Sequence, residues 1–206
     1  MSIIIQIYLL LDDQIELSIV DTRAWTGPRT LDHLVDFIIK VLPTLQIQLG
    51  KKPKNNGSPS LLFITGAALR VADVTRVLKE KKLRGKTGGE VAKLFAKHFK
   101  LIEHVAYLKR TKIGAAVGTP GRIGKLLRDT GPYNGPLFHC ISSDRPIDAL
   151  PVSALSHIIL DVTHKDPKKR NLLDIPETRD EVLQSVLAAP QVLQGIKGGK
   201  IRVVFF

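Results

Sequence analysis

The chain has 206 residues, 44% hydrophobic and 24% charged, a length of one large domain or two small ones and an ordinary globular composition that excludes a wholly disordered chain, a collagen and a coiled coil. Lys and Arg number 31 against 19 Asp and Glu, so the net charge is +12, which favours an anionic partner: RNA, DNA, an acidic protein or an anionic membrane. Cys140 is the single cysteine, which excludes an internal disulfide framework and Cys/His zinc fingers.

Ile3 to Leu11 is an apolar stretch broken by Gln6, within an atypical N-terminal segment, residues 1–20. It is far shorter than the ~20 residues a membrane helix needs, and no Lys or Arg precedes it as a signal peptide requires. It predicts a buried strand or an apolar helix start. Leu31 to Leu42 has apolar residues at 31, 34, 35, 38, 41 and 42, which is a helical period with Thr30 as N-cap and Pro43 as stop. Lys51 to Pro59 is a loop by composition. Leu61 to Ile64 is a continuous apolar run, as in a strand buried on both faces. A helical face over Leu69–Leu78 follows.

Lys81 to Gly89 reads as a basic, glycine-containing loop, and Val91 to Ala96 as a strand or a helix start. Leu101 to Leu108 predicts a helix and Ile113 to Val117 a buried strand. Gly118-Thr119-Pro120-Gly121 predicts a turn that opens a helix over Arg122–Arg128. Thr130 to Pro151, with Pro132, Pro136, Pro146 and Pro151, predicts an irregular insertion. His157 to Val162 is a further strand, Arg179 to Leu187 a helix and Ile201 to Phe206 a last strand. Alternation of strands and helices predicts an α/β fold, a three-layer αβα arrangement around a mainly parallel sheet. Function in such sheets sits at the carboxyl ends of the strands, here Thr65-Gly66, Gly118-Thr119 and Asp161-Val162.

The charge is segregated. Residues 79–128 hold 14 basic and 3 acidic residues, whereas the flanking thirds are close to neutral. A solvated face usually intersperses its signs, so the block predicts an anion-binding surface. Its few aromatics, Phe95, Phe99 and Tyr107, favour phosphate contacts over base stacking.

A P-loop needs Gly-x4-Gly-Lys-Ser/Thr between a strand and a helix. Gly85-Lys86-Thr87 has Glu80 where the first glycine belongs and no strand running into it, so it reads as a basic loop, and no nucleotide triphosphate site is evident. In Thr119-Pro120-Gly121-Arg122, backbone N–H groups at a helix start can hold a phosphate, with Arg122 adding a charge-assisted contact; the plain alternative is a strand-to-helix turn with a surface arginine. Asp161 at a strand end reads as a turn cap rather than a metal ligand. No catalytic triad and no metal-ligand spacing is legible, so no cofactor, membrane or small-molecule substrate is expected.

The order of these pieces is similar to the first RecA-like domain of DEAD-box RNA helicases. Ser60–Lys79 looks like the strand and helix around their motif Ia, Ala116–Ile123 like motif Ib, and Leu155–His164 like the strand carrying motif II. Ile201–Phe206 falls where the strand before motif III would lie. Val162 replaces the acidic residue that positions the attacking water, and His164 the last Asp of that motif. The Walker lysine is missing, and the arginine of motif Ia is Ala68 with Arg70 nearby. The resemblance implies a single degenerate RecA-like domain over 1–206 that lacks the P-loop, with neither ATPase nor helicase activity.

From about Asp21 onward, Thr22–Trp25, Gly57–Leu61, Lys109–Gly114, Leu160–Asp166 and Asn171–Thr178 resemble the Cms-one-type family, components of the 90S pre-ribosomal particle that contains a small nucleolar RNA. The resemblance implies a nuclear, nucleolar role in small-subunit ribosome assembly and supplies no catalytic residues. Expected partners are pre-ribosomal or small nucleolar RNA and pre-ribosomal proteins, and the expected contacts are Arg70, Lys109, Arg110, Lys112, Thr119, Gly121, Arg122, Lys125 and Arg128. A protein-only scaffold and a cryptic nucleotide-binding, ATPase-like protein are the alternatives.

Overall fold

Five short strands rich in branched apolar residues pair in parallel, in the order β2-β3-β1-β4-β5. They are β1 (Leu61–Ile64), β2 (Glu90–Leu94), β3 (Ile113–Gly118), β4 (His157–Leu160) and β5 (Arg202–Phe205). The computed structural model describes residues 18–128 and 149–206. The expected strand or helix at Ile3–Leu11 and most of the expected insertion, 130–148, lie outside the described residues. A single parallel bridge, Ile19 to Val203, adds a further segment beside β5.

Every residue of β1, β3 and β4 is buried, because helices cover both faces. Alternate side chains feed two cores. Leu62 and Ile64 enter one with Leu94, Ile123, Leu126, Val182 and Val186. Leu61 and Phe63 enter the other with Leu34, Phe37, Ile38, Val71, Val74 and Phe206. The expected αβα layering and parallel sheet are present.

A 3-10 turn, Leu31–His33, leads into α1 (Leu34–Val41). Thr30 does not cap the helix backbone; its hydroxyl pairs instead with His33 Nδ1 at 2.8 Å. Pro43 ends α1, as expected, but it also starts α2 (Pro43–Leu49) at its first turn, where a missing N–H costs nothing. α3 is Ala68–Leu78, and the basic loop contains a short helix, α4 (Lys81–Arg84). The ambiguous stretch after it is strand β2. α5 (Leu101–Arg110) and α6 (Pro120–Arg128) flank β3. The helix expected over Arg179–Leu187 starts earlier, as α7 (Pro176–Asp180), and continues as a π-helical segment, Glu181–Leu187. α8 (Pro190–Lys197) was not legible in the pattern.

Candidate functional site

All five strands run the same way, so their carboxyl ends form one crest. At its centre, the end of β4 delivers Asp161, fully buried, beside the first turn of α3, which carries Arg70. Arg70 Nε donates to Asp161 Oδ2 at 2.9 Å and its Nη2 to Thr163 Oγ1 at 3.0 Å. Asp161 Oδ1 accepts from Thr163 Oγ1 at 2.7 Å and from the Thr163 and His164 N–H groups at 3.2 and 3.3 Å. Asp161 therefore caps the turn after β4, as expected, and a guanidinium is its counter-ion. Arg70, expected on RNA, has 14% of its side chain exposed and faces this carboxylate. Among the described residues, no three His, Cys, Asp or Glu side chains gather as a metal site. No helix there is long and apolar enough to cross a membrane.

The strand-to-helix turn after β3 lies on the same crest. Pro120 has no N–H, and the N–H groups of Arg122 and Ile123 donate to Thr119 O at 3.1 and 3.0 Å. That leaves Gly121 N–H as the donor at the helix start, fewer than the sequence led us to expect. The position is also approached by a carboxylate. A methyl group on Gly121 would lie 2.5 Å from Glu181 Oε1. An acidic group at a helix amino end is favourable, and a negative charge beside Gly121 disfavours a phosphate there.

Arg122 is not the surface arginine of the plain reading. It is 7% exposed, and its Nη2 donates to Phe99 O at 2.7 Å. Its Nε and Nη1 have no hydrogen-bond partner among the described residues. Burial pulls its pKa below the ordinary value, opposed by nearby Glu103. Beside it, His104 on α5 is 5% exposed and stacks on Phe99. Burial, then the Arg122 charge, pushes the His104 pKa down to about 4, against Glu103 and a hydrogen bond to the Lys93 backbone. The imidazole is neutral at pH 7.

The remaining expected residues lie elsewhere. β3 has six residues, about 17 Å of strand, and it separates Thr119 from Lys112. Lys109 and Arg110 end α5 at that opposite, amino edge. α6 runs back from the crest, carrying Lys125, exposed, at mid-helix, and Arg128 near the amino edge, where its guanidinium hydrogen-bonds Ser185 Oγ. Eight of the nine residues thus divide between two edges of the sheet, with Lys125 between them. The Gly85-Lys86-Thr87 loop also lies before β2, at the amino edge, with Thr87 Oγ1 bonded to Gly50 O at 2.7 Å. Sequence reasoning missed Glu181, the Arg70–Asp161 pairing and the exposure of Phe99. The first two follow from adjacency of distant segments and left no local signal.

A model of the CMS1 family, described as U3-containing 90S pre-ribosomal complex subunits, matches residues 8–135 and 143–206. The chain belongs to the CMS1 family. Among its CMS1 relatives, Protein CMS1 of Chaetomium thermophilum is 40% identical over 161 residues, 78% of this chain and 55% of that protein. Protein cms1 of Schizosaccharomyces pombe is 31% identical over 91% of this chain and 58% of its own length. Protein CMSS1 of Danio rerio is 29% identical over 94% and 58%. The chain therefore spans a little over half the length of these CMS1 relatives. In fold it is similar to Saccharomyces cerevisiae Dbp5, solved bound to Nup159, Gle1, IP6 and ADP, with a TM-score of 0.52 and 13% identity over 97% of this chain and 40% of that one. The fold of this CMS1 chain is RecA-like.

Proposed function

We propose that this chain is a non-enzymatic assembly factor of the 90S pre-ribosomal particle, at work in the nucleolus, that holds pre-ribosomal or small nucleolar RNA with the crest of a RecA-like sheet. The family supports the particle. The observation that supports a binding rather than a hydrolytic role is the Arg70–Asp161 pair. Phosphoryl transfer needs a metal, a phosphate cradle and a positioned water. Here the carboxylate at the β4 end faces a tethered guanidinium 2.9 Å away, and the sequence after it offers Val162 and His164 in place of further acids.

Lys97, Lys100 and Lys125 are exposed on the crest and the helix behind it, and they position a phosphate backbone without reading its sequence. Filter binding between 50 and 200 mM salt tests this: affinity falls steeply if phosphates are neutralised, and a flat response refutes the RNA contact. A thermal shift with ATP and Mg²⁺ tests the other half. No rise in melting temperature is expected, and a clear rise would restore the nucleotide-binding reading.

One observation favours a protein partner as well: Leu69, on the same crest, is 82% exposed. Under that reading, changing Lys97, Lys100 and Lys125 to Glu abolishes capture of particle proteins and leaves RNA crosslinking unaltered.

A further inference from the structure

The loop that leaves β2 is more than a connector. Five consecutive residues, Ala96 to Lys100, are exposed. Phe99 N–H donates to Ala96 O at 3.3 Å, closing a turn whose third residue, His98, has φ 69°. That turn position favours glycine. A β-carbon there is strained, and such strain persists where the surroundings fix it.

The turn brings Phe99 to the surface, 40% exposed. Phe95 meets its ring edge-on, centroids 5.4 Å apart at 82°. His104 stacks against it at 5.4 Å and 29°. Phe95 packs on one core, and His104 is buried. The Arg122 guanidinium holds the Phe99 carbonyl. Lys97 and Lys100, both exposed, flank Phe99 in the chain, and no ion pair among the described residues engages either. The one acid at hand, Glu103, accepts the Lys100 backbone N–H at 2.9 Å.

We infer that Phe99 is a stacking platform for a base of single-stranded RNA, with Lys97 and Lys100 on the flanking phosphates. This rests on the RNA reading above and adds a substrate form to it: unpaired rather than duplex RNA, whose base faces are hidden. A nucleobase uses both the ring and the lysines, whereas an acidic peptide uses the lysines alone. A strained turn, a backed ring and flanking cations together make the site, although the few aromatics of the basic block had pointed to phosphate contacts alone.

The test compares fluorescein-labelled oligoadenylate with an abasic ribose-phosphate oligomer of equal length and charge, by anisotropy at fixed salt. The native chain prefers the base-bearing strand by about fivefold or more. Phe99→Ala and Phe99→Leu remove the preference and leave the salt dependence unchanged, and Phe99→Trp keeps it. Phe99→Leu retains the packing, and its circular dichroism melt checks folding. Equal binding of both oligomers by the native chain, or a preference that survives Phe99→Ala, overturns the stacking site and leaves phosphate binding intact. Loss of polyglutamate binding in Phe99→Ala, with the base preference kept, assigns the site to an acidic protein instead. Binding of neither oligomer at low salt overturns the RNA reading itself.

Discussion

Removing Arg70 tests the centre of the crest. Arg70→Ala leaves Asp161 fully buried with Thr163 and His164 as its remaining donors. Breaking a buried ion pair from one side costs about 3–5 kcal/mol. Three surviving hydrogen bonds to Asp161 Oδ1 place the expected loss near the lower end, about 3 kcal/mol, out of a total of about 5–15 for a typical domain. Asp161→Asn keeps an acceptor at Oδ1 and leaves Arg70 access to water, so it costs less, about 1–2 kcal/mol. The double variant falls short of the sum by about 1–3 kcal/mol if the two groups act as a pair. Urea unfolding followed by fluorescence reads this directly. Trp25 is the single tryptophan and meets Phe37 edge-on at 5.7 Å, so its emission reports on a core beneath the crest. An Arg70→Ala variant within about 0.5 kcal/mol of the native chain, or additive single changes, would show that the pair does not hold the crest.

Three further outcomes are expected. His104 and His157 are each held near pKa 4 against 6.5, mainly by burial. A depressed folded pKa means that the unfolded chain binds more protons between pH 4 and 6.5, so stability falls as pH drops through that window. From pH 7.5 to 5.5 each histidine accounts for about 1.3 kcal/mol, and His104→Gln should reduce the shift in urea midpoint by about half. Glu181→Gln withdraws a charge from the start of α6 and should raise RNA affinity about two- to fivefold, the scale of a helix-end charge; unchanged affinity in an anisotropy titration places the RNA elsewhere. Two glycines should respond differently to alanine. A methyl on Gly118 meets Leu94 O at 2.4 Å, a backbone atom, whereas one on Gly121 meets the mobile end of Glu181. Gly118→Ala should lower stability by about 1–3 kcal/mol and Gly121→Ala by much less in the same denaturation assay.

The layers were legible because each buried strand is a short, mostly apolar run between helical periods. Leu61–Ile64 and Ile113–Val117 needed no tertiary information. β2 was ambiguous because its pattern, with Glu90 and Lys93 outward at an edge, fits two periods over so few residues. α2 was hidden because Pro43 reads equally as an end and as a beginning. The site was less legible for a different reason. Net charge counts side chains without directions, so the basic block read as one surface, while β3 places Lys112 and Thr119 at opposite edges of the sheet. Arg122 read as exposed because arginine usually is; its burial depends on Phe99 offering a carbonyl from another loop. Phe99 itself read as one of too few aromatics, because sequence does not show that Phe95 and His104 support its ring.

A divalent ion is kept in place by affinity and leaves on dilution or chelation. The cation at Asp161 is instead part of the polypeptide, carried on α3 and renewed each time the chain folds. Under the proposed non-enzymatic role, that corner of the sheet has no loaded and empty forms to alternate between, and whatever ends a partner's stay there comes from outside it.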